Sequence, residues 1–171
     1  MKETMSKTNP GNFFEDFELG QVIEHATPRT ITDGDRALYG ALYPTRFAVP
    51  SSAQFAAALG LSPAPVEELI AFHIAFGKTV PDVSRNAVAN LGYAECRFHR
   101  PIVTGDTLST KSEVIGLKQN SNGKSGVVYV RSTATDQNGE VVLDWARWVM
   151  LHKRDPAAPA PETVLPALSS A

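Results

Sequence analysis

The sequence has few sulfur-containing residues: one cysteine, Cys96, and three methionines among 171 residues. One thiol excludes an internal disulfide and argues against a cysteine-based metal site. The histidines His25, His73, His99 and His152 include no pair at the i, i+4 spacing of helical metal ligands, so no metal is expected. Cys96 lies in a strand-like segment, and we interpret it as a buried, inert thiol.

An excess of one charge is also absent. The 16 basic and 18 acidic side chains give a net charge of −2, so the basic surface that nucleic-acid binding requires is missing. No apolar run approaches the roughly 20 residues of a membrane-spanning helix. Residues 1–10 lack the apolar core of a secretory signal, and no glycine-rich Walker A sequence occurs. We therefore expect a cytoplasmic protein with neither a nucleic-acid nor a membrane partner.

Proline and glycine divide the chain into segments. In the stretch RFHRPIVTGDT at 97–107, Pro101 cannot donate a hydrogen bond to a sheet and Gly105 can adopt positive φ, which predicts a turn. The sequence after this turn alternates apolar and polar residues with period 2, typical of strands. We predict strands at 91–98, 107–117, 127–135 and 141–153. The last two are joined by a tight Asn138-Gly139 hairpin turn.

The first half of the chain has helical signals. A short strand is predicted at 21–27, and helices at 33–42 after the cap Thr32, at 53–59 before Gly60, and at 66–77, followed by a short helix containing Pro81. Residues 12–20 carry three phenylalanines and are predicted to dock their rings on the domain. The small side chains around the 53–59 helix predict close packing against a sheet.

These elements predict an α+β domain over residues 12–154, in which a long curved antiparallel sheet wraps around a central Ala-rich helix. Residues 1–11 are interpreted as a tail. Residues 155–171 contain four prolines and five alanines, and we interpret them as a linker or tail. Trp145 and Trp148 fall on opposite faces of the last strand and cannot share one core. We therefore expect a second hydrophobic surface and edge-to-edge pairing with another domain.

The strings FHRPIVTGDT at 98–107 and DQNGEVV at 136–142 resemble the hotdog fold of the MaoC-like hydratases and dehydratases. Longer strings at 13–32, 72–98 and 112–131 are similar to the N-terminal half of the mesaconyl-CoA hydratases within that family, in which two hotdogs are fused. The resemblance covers residues 13–154. It implies reversible addition of water across a C=C conjugated to a CoA thioester, such as that of mesaconyl-CoA. CoA is then part of the substrate, and no separate cofactor is needed.

The resemblance also implies where catalysis should occur. MaoC-like hydratases place an Asp, and a His five residues later, on the loop before the central helix. In this sequence Thr45 and Pro50 stand at those positions, and neither group titrates near neutral pH. We therefore assign no catalytic residue to this chain. The implied partner is a second hotdog, in a fused chain or in a homodimer, that supplies the acid and the base.

Five residues are candidates for binding the acyl-CoA substrate. Arg46 is the only charge in the loop at 43–50 and suits phosphate or carboxylate, with a solvated surface arginine as the alternative. His73 could face the acyl tunnel, although a hydrogen-bonded core histidine is the preferred interpretation. Lys78, Arg85 and Asn86 are candidates for the CoA phosphates, with plain surface positions as the alternative.

Two other functions remain open at this point. One is a non-catalytic CoA-binding or scaffold hotdog. The other, a hotdog thioesterase, is disfavoured because that reaction usually requires a carboxylate at the central helix or on the facing strand. The helix at 52–59 has none, and Asp82 and Glu95 are the nearest acids that could be invoked.

Overall fold

The computed structural model describes residues 10–26, 28–44 and 46–169. Most of the predicted N-terminal tail, Thr27 and Thr45 lie outside these ranges. The helices are α1 (Asp33–Leu42), α2 (Ala48–Ser51), α3 (Ala53–Ala58) and α4 (Glu68–Thr79). The strands are β1 (Val22–Glu24), β2 (Arg29–Thr30), β3 (Ala87–Phe98), β4 (Thr107–Gln119), β5 (Ser125–Thr135) and β6 (Val141–His152). A 3-10 turn covers Phe14–Asp16, and a π-helical turn covers Val80–Ser84.

The strands form an antiparallel sheet in the order β1-β4-β5-β6-β3, with β2 paired to the start of β4. β4, β5 and β6 are consecutive hairpin partners, and Gly139 takes φ +81° in the predicted turn between β5 and β6. The four long strands begin and end within four residues of the predicted bounds. β3 pairs with β6 and forms one edge of the sheet.

The helix that packs on the sheet is α4. Its side chains Ile70, Ala71, Ile74 and Ala75 are buried in a cluster that includes Trp145 of β6. The expected helix on a sheet is confirmed, but our assignment of the Ala-rich 53–59 segment to that place is wrong. α3 buries only Ala56. Small side chains allow close approach but offer little apolar area, whereas α4 alternates isoleucines with alanines and provides both.

The segment before β1 fills the other half of the same sheet face, hereafter the helix face. Phe14 is fully buried and Phe17 nearly so, in a cluster with Val83 of the π-helical turn and with Val130 and other valines and leucines of the sheet. A Cβ at Gly126 would lie 2.4 Å from the Phe14 ring, so this glycine lets the ring lie directly on the backbone of β5. The expected docking of the 12–20 segment is confirmed.

A polar row separates the two hydrophobic clusters. Ser112 of β4 and Ser132 of β5 are buried and paired in register, with their Oγ atoms 2.7 Å apart. Arg147 of β6 is fully buried near them on the helix face, where it donates to Thr79 Oγ1 at 2.8 Å and lies 4.6 Å from the Phe76 ring centre. We call these three residues the polar seam.

The opposite face, hereafter the outer face, carries Tyr129 stacked on Trp148 with ring centres 6.1 Å apart. Trp145 is fully buried on the helix face, so the predicted placement of the two tryptophans on opposite faces is confirmed.

Cys96 is exposed, and the expectation of a buried thiol is wrong. The reason is that β3 is an edge strand, where outward side chains meet no neighbouring strand.

Candidate functional site

Three helices form an arm whose apolar side chains mostly face outward. In α1, Thr32 and Asp35 form a capping box, in which Thr32 Oγ1 accepts from Asp35 N at 3.2 Å. The predicted bounds of α1 are confirmed, but no α1 side chain is buried. The apolar side chains of Ala37, Leu38 and Ala41 in α1 are solvent-exposed. Other exposed apolar side chains on this arm are Leu42, Tyr43, Phe47, Phe55 and Leu59.

Pro50 lies between two cavities at the base of this arm. The first, of about 500 Å³, is lined by α1, by Tyr43 and Pro50 of the following segment, and by Glu67. We call it the loop cavity. Arg36 donates to Pro50 O at 3.0 Å and so fixes the end of the loop against α1. No histidine is present among the described residues that line this cavity.

The second cavity, of about 430 Å³, is lined mostly by apolar side chains that include Phe47, Phe55, Val66 and Ile102, together with Pro50 and Glu67. We call it the apolar cavity. Its lining suits a hydrocarbon or thioester-bearing chain better than a charged group. Pro50 and Glu67 belong to both linings and therefore form the wall between the two cavities.

Glu67 precedes α4 and was not singled out from the sequence. Its Oε2 atom is buried and accepts no hydrogen bond within the described part of the chain. The pKa of Tyr39 is raised, first by burial and then by the charge of Glu67. A carboxylate in this place can accept a proton or a hydrogen bond from a ligand. Because no histidine lies beside it in the described part of the lining, the loop cavity still lacks the acid–base pair of a MaoC-like site.

The serines after the loop serve the local backbone. Ser52 caps α3 by accepting from Phe55 N at 3.2 Å. Ser51 Oγ donates to Phe47 O at 2.7 Å. Helix capping and turn formation therefore account for both hydroxyls.

His73 and Lys78 line a third cavity, of about 440 Å³, together with Arg29, Asp82 and residues between them on α4. We call it the basic cavity. His73 is exposed, and the interpretation as a hydrogen-bonded core histidine is wrong. The reason is that α4 buries the faces at Ile70, Ala71, Ile74 and Ala75, and position 73 falls between them on the outward side. Two of the five predicted substrate-binding residues are thus brought together.

The other three candidates lie elsewhere. Arg46 is an exposed residue of the segment before α2. The side-chain amide of Asn86 donates to Pro10 O at 3.0 Å and Asn12 O at 3.2 Å, so it holds the N-terminal segment. A Cβ at Gly11 would lie 2.8 Å from Arg85 Cβ, which puts Arg85 under that same segment.

A buried polar chain reaches the basic cavity from the sheet. His25 Nδ1 lies 2.7 Å from Asp82 Oδ2, and His25 Nε2 lies 2.8 Å from Ser112 Oγ. The His25 side chain is fully buried, whereas that of Asp82 is 25% exposed. Sequence reasoning assigned His25 no role, because its partners lie 57 and 87 positions away and no local pattern links them.

The turn that contains Arg100 has a structural role and no catalytic one. Arg100 donates to Asp106 Oδ2 at 3.0 Å and to Asp136 Oδ2 at 2.6 Å, which ties the β3–β4 turn to the β5–β6 hairpin. Burial opposes ionisation of Asp106, but hydrogen bonds from Arg100 and Val103 N prevail and lower its pKa. The motif that signals the family is therefore a structural lock between two turns.

The part of the chain that the structure describes contains neither a metal-binding cluster nor a membrane-spanning helix. No group of three or more His, Cys, Asp or Glu side chains there is arranged to hold a metal ion. Among the same residues, no helix combines the length and apolarity needed to cross a bilayer.

Comparison with known proteins adds to this geometry. A profile of the mesaconyl-CoA hydratase family matches residues 2–164. The β-methylmalyl-CoA dehydratase of Chloroflexus aurantiacus is 66% identical over 163 residues, which make up 95% of this chain and 46% of that protein. The chain thus spans about half the length of the curated relatives it matches.

Solved structures agree with this match. A MaoC domain protein from Chloroflexus aurantiacus superposes with a TM-score of 0.93 at 65% identity, covering 96% of this chain and 47% of that one. A Mycobacterium tuberculosis protein with a double hotdog fold gives a TM-score of 0.76 at 30% identity, covering 92% of this chain and 47% of that one. The hotdog fold expected from the resemblance is confirmed.

Proposed function

The chain belongs to the mesaconyl-CoA hydratase family, and we propose that it forms the substrate-holding half of a two-hotdog hydratase. The complete enzyme would add water reversibly across the C=C of an enoyl-CoA such as mesaconyl-CoA. The observation that carries the division of labour is Pro50. It lines both the loop cavity and the apolar cavity, at the position where the resemblance to MaoC-like hydratases implies a histidine.

Hydration of a conjugated thioester requires a base for the water, an acid for the α-carbon and donors for the developing enolate oxygen. The described part of the 43–50 segment contains neither a carboxylate nor an imidazole. The acid and the base would therefore come from a second hotdog. CoA enters as part of the substrate, so the proposal needs no separate cofactor or metal.

This half would contribute binding surface. Lys78, His73 and Arg29 border the basic cavity, where cations suit the phosphates of CoA or the free carboxylate of a mesaconyl group. Arg46, exposed in the segment before α2, stays a candidate for the same phosphates or carboxylate. The apolar cavity suits the acyl and thioester portion. Arg85 and Asn86 are already engaged with the N-terminal segment and are the weaker candidates.

The partner proposal is supported by the exposed apolar arm and by the edge position of β3. Leu38 and Leu42 of α1 are each 62% exposed, and Tyr93 of β3 is 48% exposed. A surface of this kind on a small domain marks an interaction site. A second hotdog, fused or separate, would cover the arm and continue the sheet.

The test is to assay mesaconyl-CoA hydration with this chain alone, and with the C-terminal half of the Chloroflexus aurantiacus dehydratase added as a separate chain. We expect no turnover alone and turnover with the added half. In the mixture, Lys78→Gln should raise KM with little change in kcat, with Lys118→Gln on the exposed end of β4 as the control. Full activity of the chain alone would contradict the proposed division of labour.

One observation keeps thioester hydrolysis as a second candidate. A thioesterase was disfavoured because the 52–59 helix has no carboxylate, but the helix on the sheet is α4, which is preceded by Glu67. Release of free CoA thiol from mesaconyl-CoA by the wild-type chain, abolished in Glu67→Gln and retained in Glu68→Gln, would favour hydrolysis. We expect no thiol release.

A further inference from the structure

The segment after β6 is attached to the sheet along its length. Lys153 Nζ donates to Ala158 O at 2.6 Å, which turns the chain back toward β4. Val164 and Leu117 then exchange two backbone hydrogen bonds of 2.9 Å each, so Val164 adds a single antiparallel bridge to β4. This bridge uses backbone groups of β4 beyond the end of β1, which pairs only with residues 111–113.

Gly116 of β4, a residue without a side chain, allows the segment after β6 to lie close to the sheet. A Cβ at Gly116 would lie 2.6 Å from Pro166 Cδ and 2.7 Å from Val164 O. Gly116 is paired in register with Tyr129, which belongs to the outer face. The segment therefore lies on the outer face at this point, in a place that any larger residue would block.

The segment ends at the β3 edge of the sheet, across from β4. Ser169 donates to Glu95 Oε1 from its N–H at 2.9 Å and from its hydroxyl at 2.7 Å, and Arg131 donates to the other oxygen of the same carboxylate. Glu95 belongs to β3, three strands away from β4. Three strand spacings are about 14 Å and five extended residues span about 17 Å, so residues 164–169 cross the sheet nearly straight.

Glu95 has an unusual backbone. Its φ is +52°, a left-handed conformation that is unfavourable for a residue with a side chain. The register of β3 and β6 is irregular here: Ala94 pairs with Ala146 and Arg97 with Asp144, so two residues of β3 oppose Trp145. This is a β-bulge at the edge strand. The bonds from Ser169 and Arg131 hold the bulged residue in place.

We propose that residues 155–169 act as a strap that fixes the bulge in β3 and thereby shapes the sheet edge on which a second hotdog docks. The docking partner rests on the proposed function, whereas the effect of the strap on β3 does not. The surface concerned is the β3 edge with its exposed Val88, Leu91 and Tyr93. The partner that fits it is an edge strand of another hotdog, which requires a fixed register.

The strap is tested by hydrogen exchange on the full chain. Ser169→Ala removes the hydroxyl at the latch, Glu95→Gln weakens the acceptor, and Gly116→Ala blocks the crossing. We expect exchange of the amides of residues 94–98 to rise at least fivefold in each variant, while β5 amides stay unchanged. Glu162→Gln, an exposed change within the strap, and Gly40→Ala, with open space around it, are the matched controls.

Association is measured on the same variants by sedimentation, with the C-terminal half of the Chloroflexus aurantiacus dehydratase as the added hotdog. We expect about tenfold weaker association for Ser169→Ala and Glu95→Gln. If strap amides exchange faster while residues 94–98 do not, the strap is a passive tail and the inference fails. Absence of association in the wild type would contradict the proposed function and leave the exchange result standing. If Gly116→Ala does not fold, Ser169→Ala and Glu95→Gln decide.

Discussion

Apolar side chains are buried on the helix face of the sheet but mostly exposed on the arm of α1, α2 and α3. Trp145, Leu143 and Leu151 of β6 are fully buried, whereas α1 buries nothing and α3 buries only Ala56. The sheet with α4 and the Phe14 segment is therefore a self-sufficient core. In the arm, Thr32 caps α1 and Ser52 caps α3, but most apolar side chains are exposed to solvent. The difference separates the part of the chain that forms the core from the part that leaves apolar surface exposed.

The most direct test of this difference in burial is to truncate one side chain in each region. Trp145→Ala should lower the free energy of unfolding by about 3–5 kcal/mol, because it removes a fully buried aromatic ring. Leu59→Ala, at a position 58% exposed on the arm, should change it by less than about 0.5 kcal/mol. Urea denaturation of the two variants measures both. A comparable loss for Leu59→Ala would mean that the arm is packed.

The Arg100 lock shows how much the core region depends on charge. Arg100→Met leaves the carboxylates of Asp106 and Asp136 without their cation and should cost about 2 kcal/mol at pH 7. Burial opposes ionisation of both acids, but hydrogen bonds prevail and lower their pKa values: Arg100 is the main donor for Asp106, whereas for Asp136 the N–H of Glu140 comes before Arg100. Their contribution is therefore present above pH 4 and lost as the pH falls through the lowered values.

The corresponding measurement is the urea midpoint at pH 7 and at pH 3. The wild type should lose more stability between these values than Arg100→Met does. Arg29→Met, whose guanidinium pairs with Asp35 on the exposed arm, is the control and should show little effect at pH 7. Equal acid sensitivity in the wild type and in Arg100→Met would contradict this account.

Arg147 is the exception inside the packed region. Burial lowers its pKa to about 10, and no acid lies within ion-pair distance of it among the described residues. Replacement by an apolar side chain of similar length should relieve this cost, so Arg147→Met is expected to raise the free energy of unfolding by about 1–2 kcal/mol. Thermal unfolding at neutral pH measures it. A destabilised variant would indicate that the hydrogen bond to Thr79 outweighs the burial of charge.

The smallest effect should come from the arm itself. Thr32→Ala removes the capping side chain of α1 and should weaken that helix by about 1 kcal/mol, seen as roughly fivefold faster amide exchange over residues 33–42. Because α1 has no buried side chain, the free energy of global unfolding should hardly change. Loss of global stability would show that the arm is part of the main core.

Local signals were sufficient for many of these elements. The cap at Thr32 predicted the start of α1, and period-2 alternation with Asn138-Gly139 predicted the β5–β6 hairpin. The central helix was misassigned because the Ala-rich 53–59 stretch satisfies the same pattern as α4. Only tertiary packing distinguishes the two, since a pattern of small residues does not state which surface covers it.

The candidate site was less predictable for the same reason. Pro50 could be placed by resemblance, and the structure adds Glu67 beside it, which is 17 positions away in sequence. The pair of His25 and Asp82, and the contact of Ser169 with Glu95, join distant segments through the fold. His73 was expected to be buried because apolar residues flank it in sequence, and Cys96 because it lies in a strand-like segment. Their exposure depends on helix phase and on the edge position of β3.

The polar seam has a consequence for how the domain opens. Ser112, Ser132 and Arg147 cross the interior between a cluster around α4 and a cluster around Phe14. Hydroxyls and a guanidinium can be rehydrated at less cost than a continuous apolar layer. The two clusters should therefore behave as separate foldons. The Phe14 half, tied mainly by the N-terminal segment, would open first, while α4 and the hairpins around Trp145 stay closed.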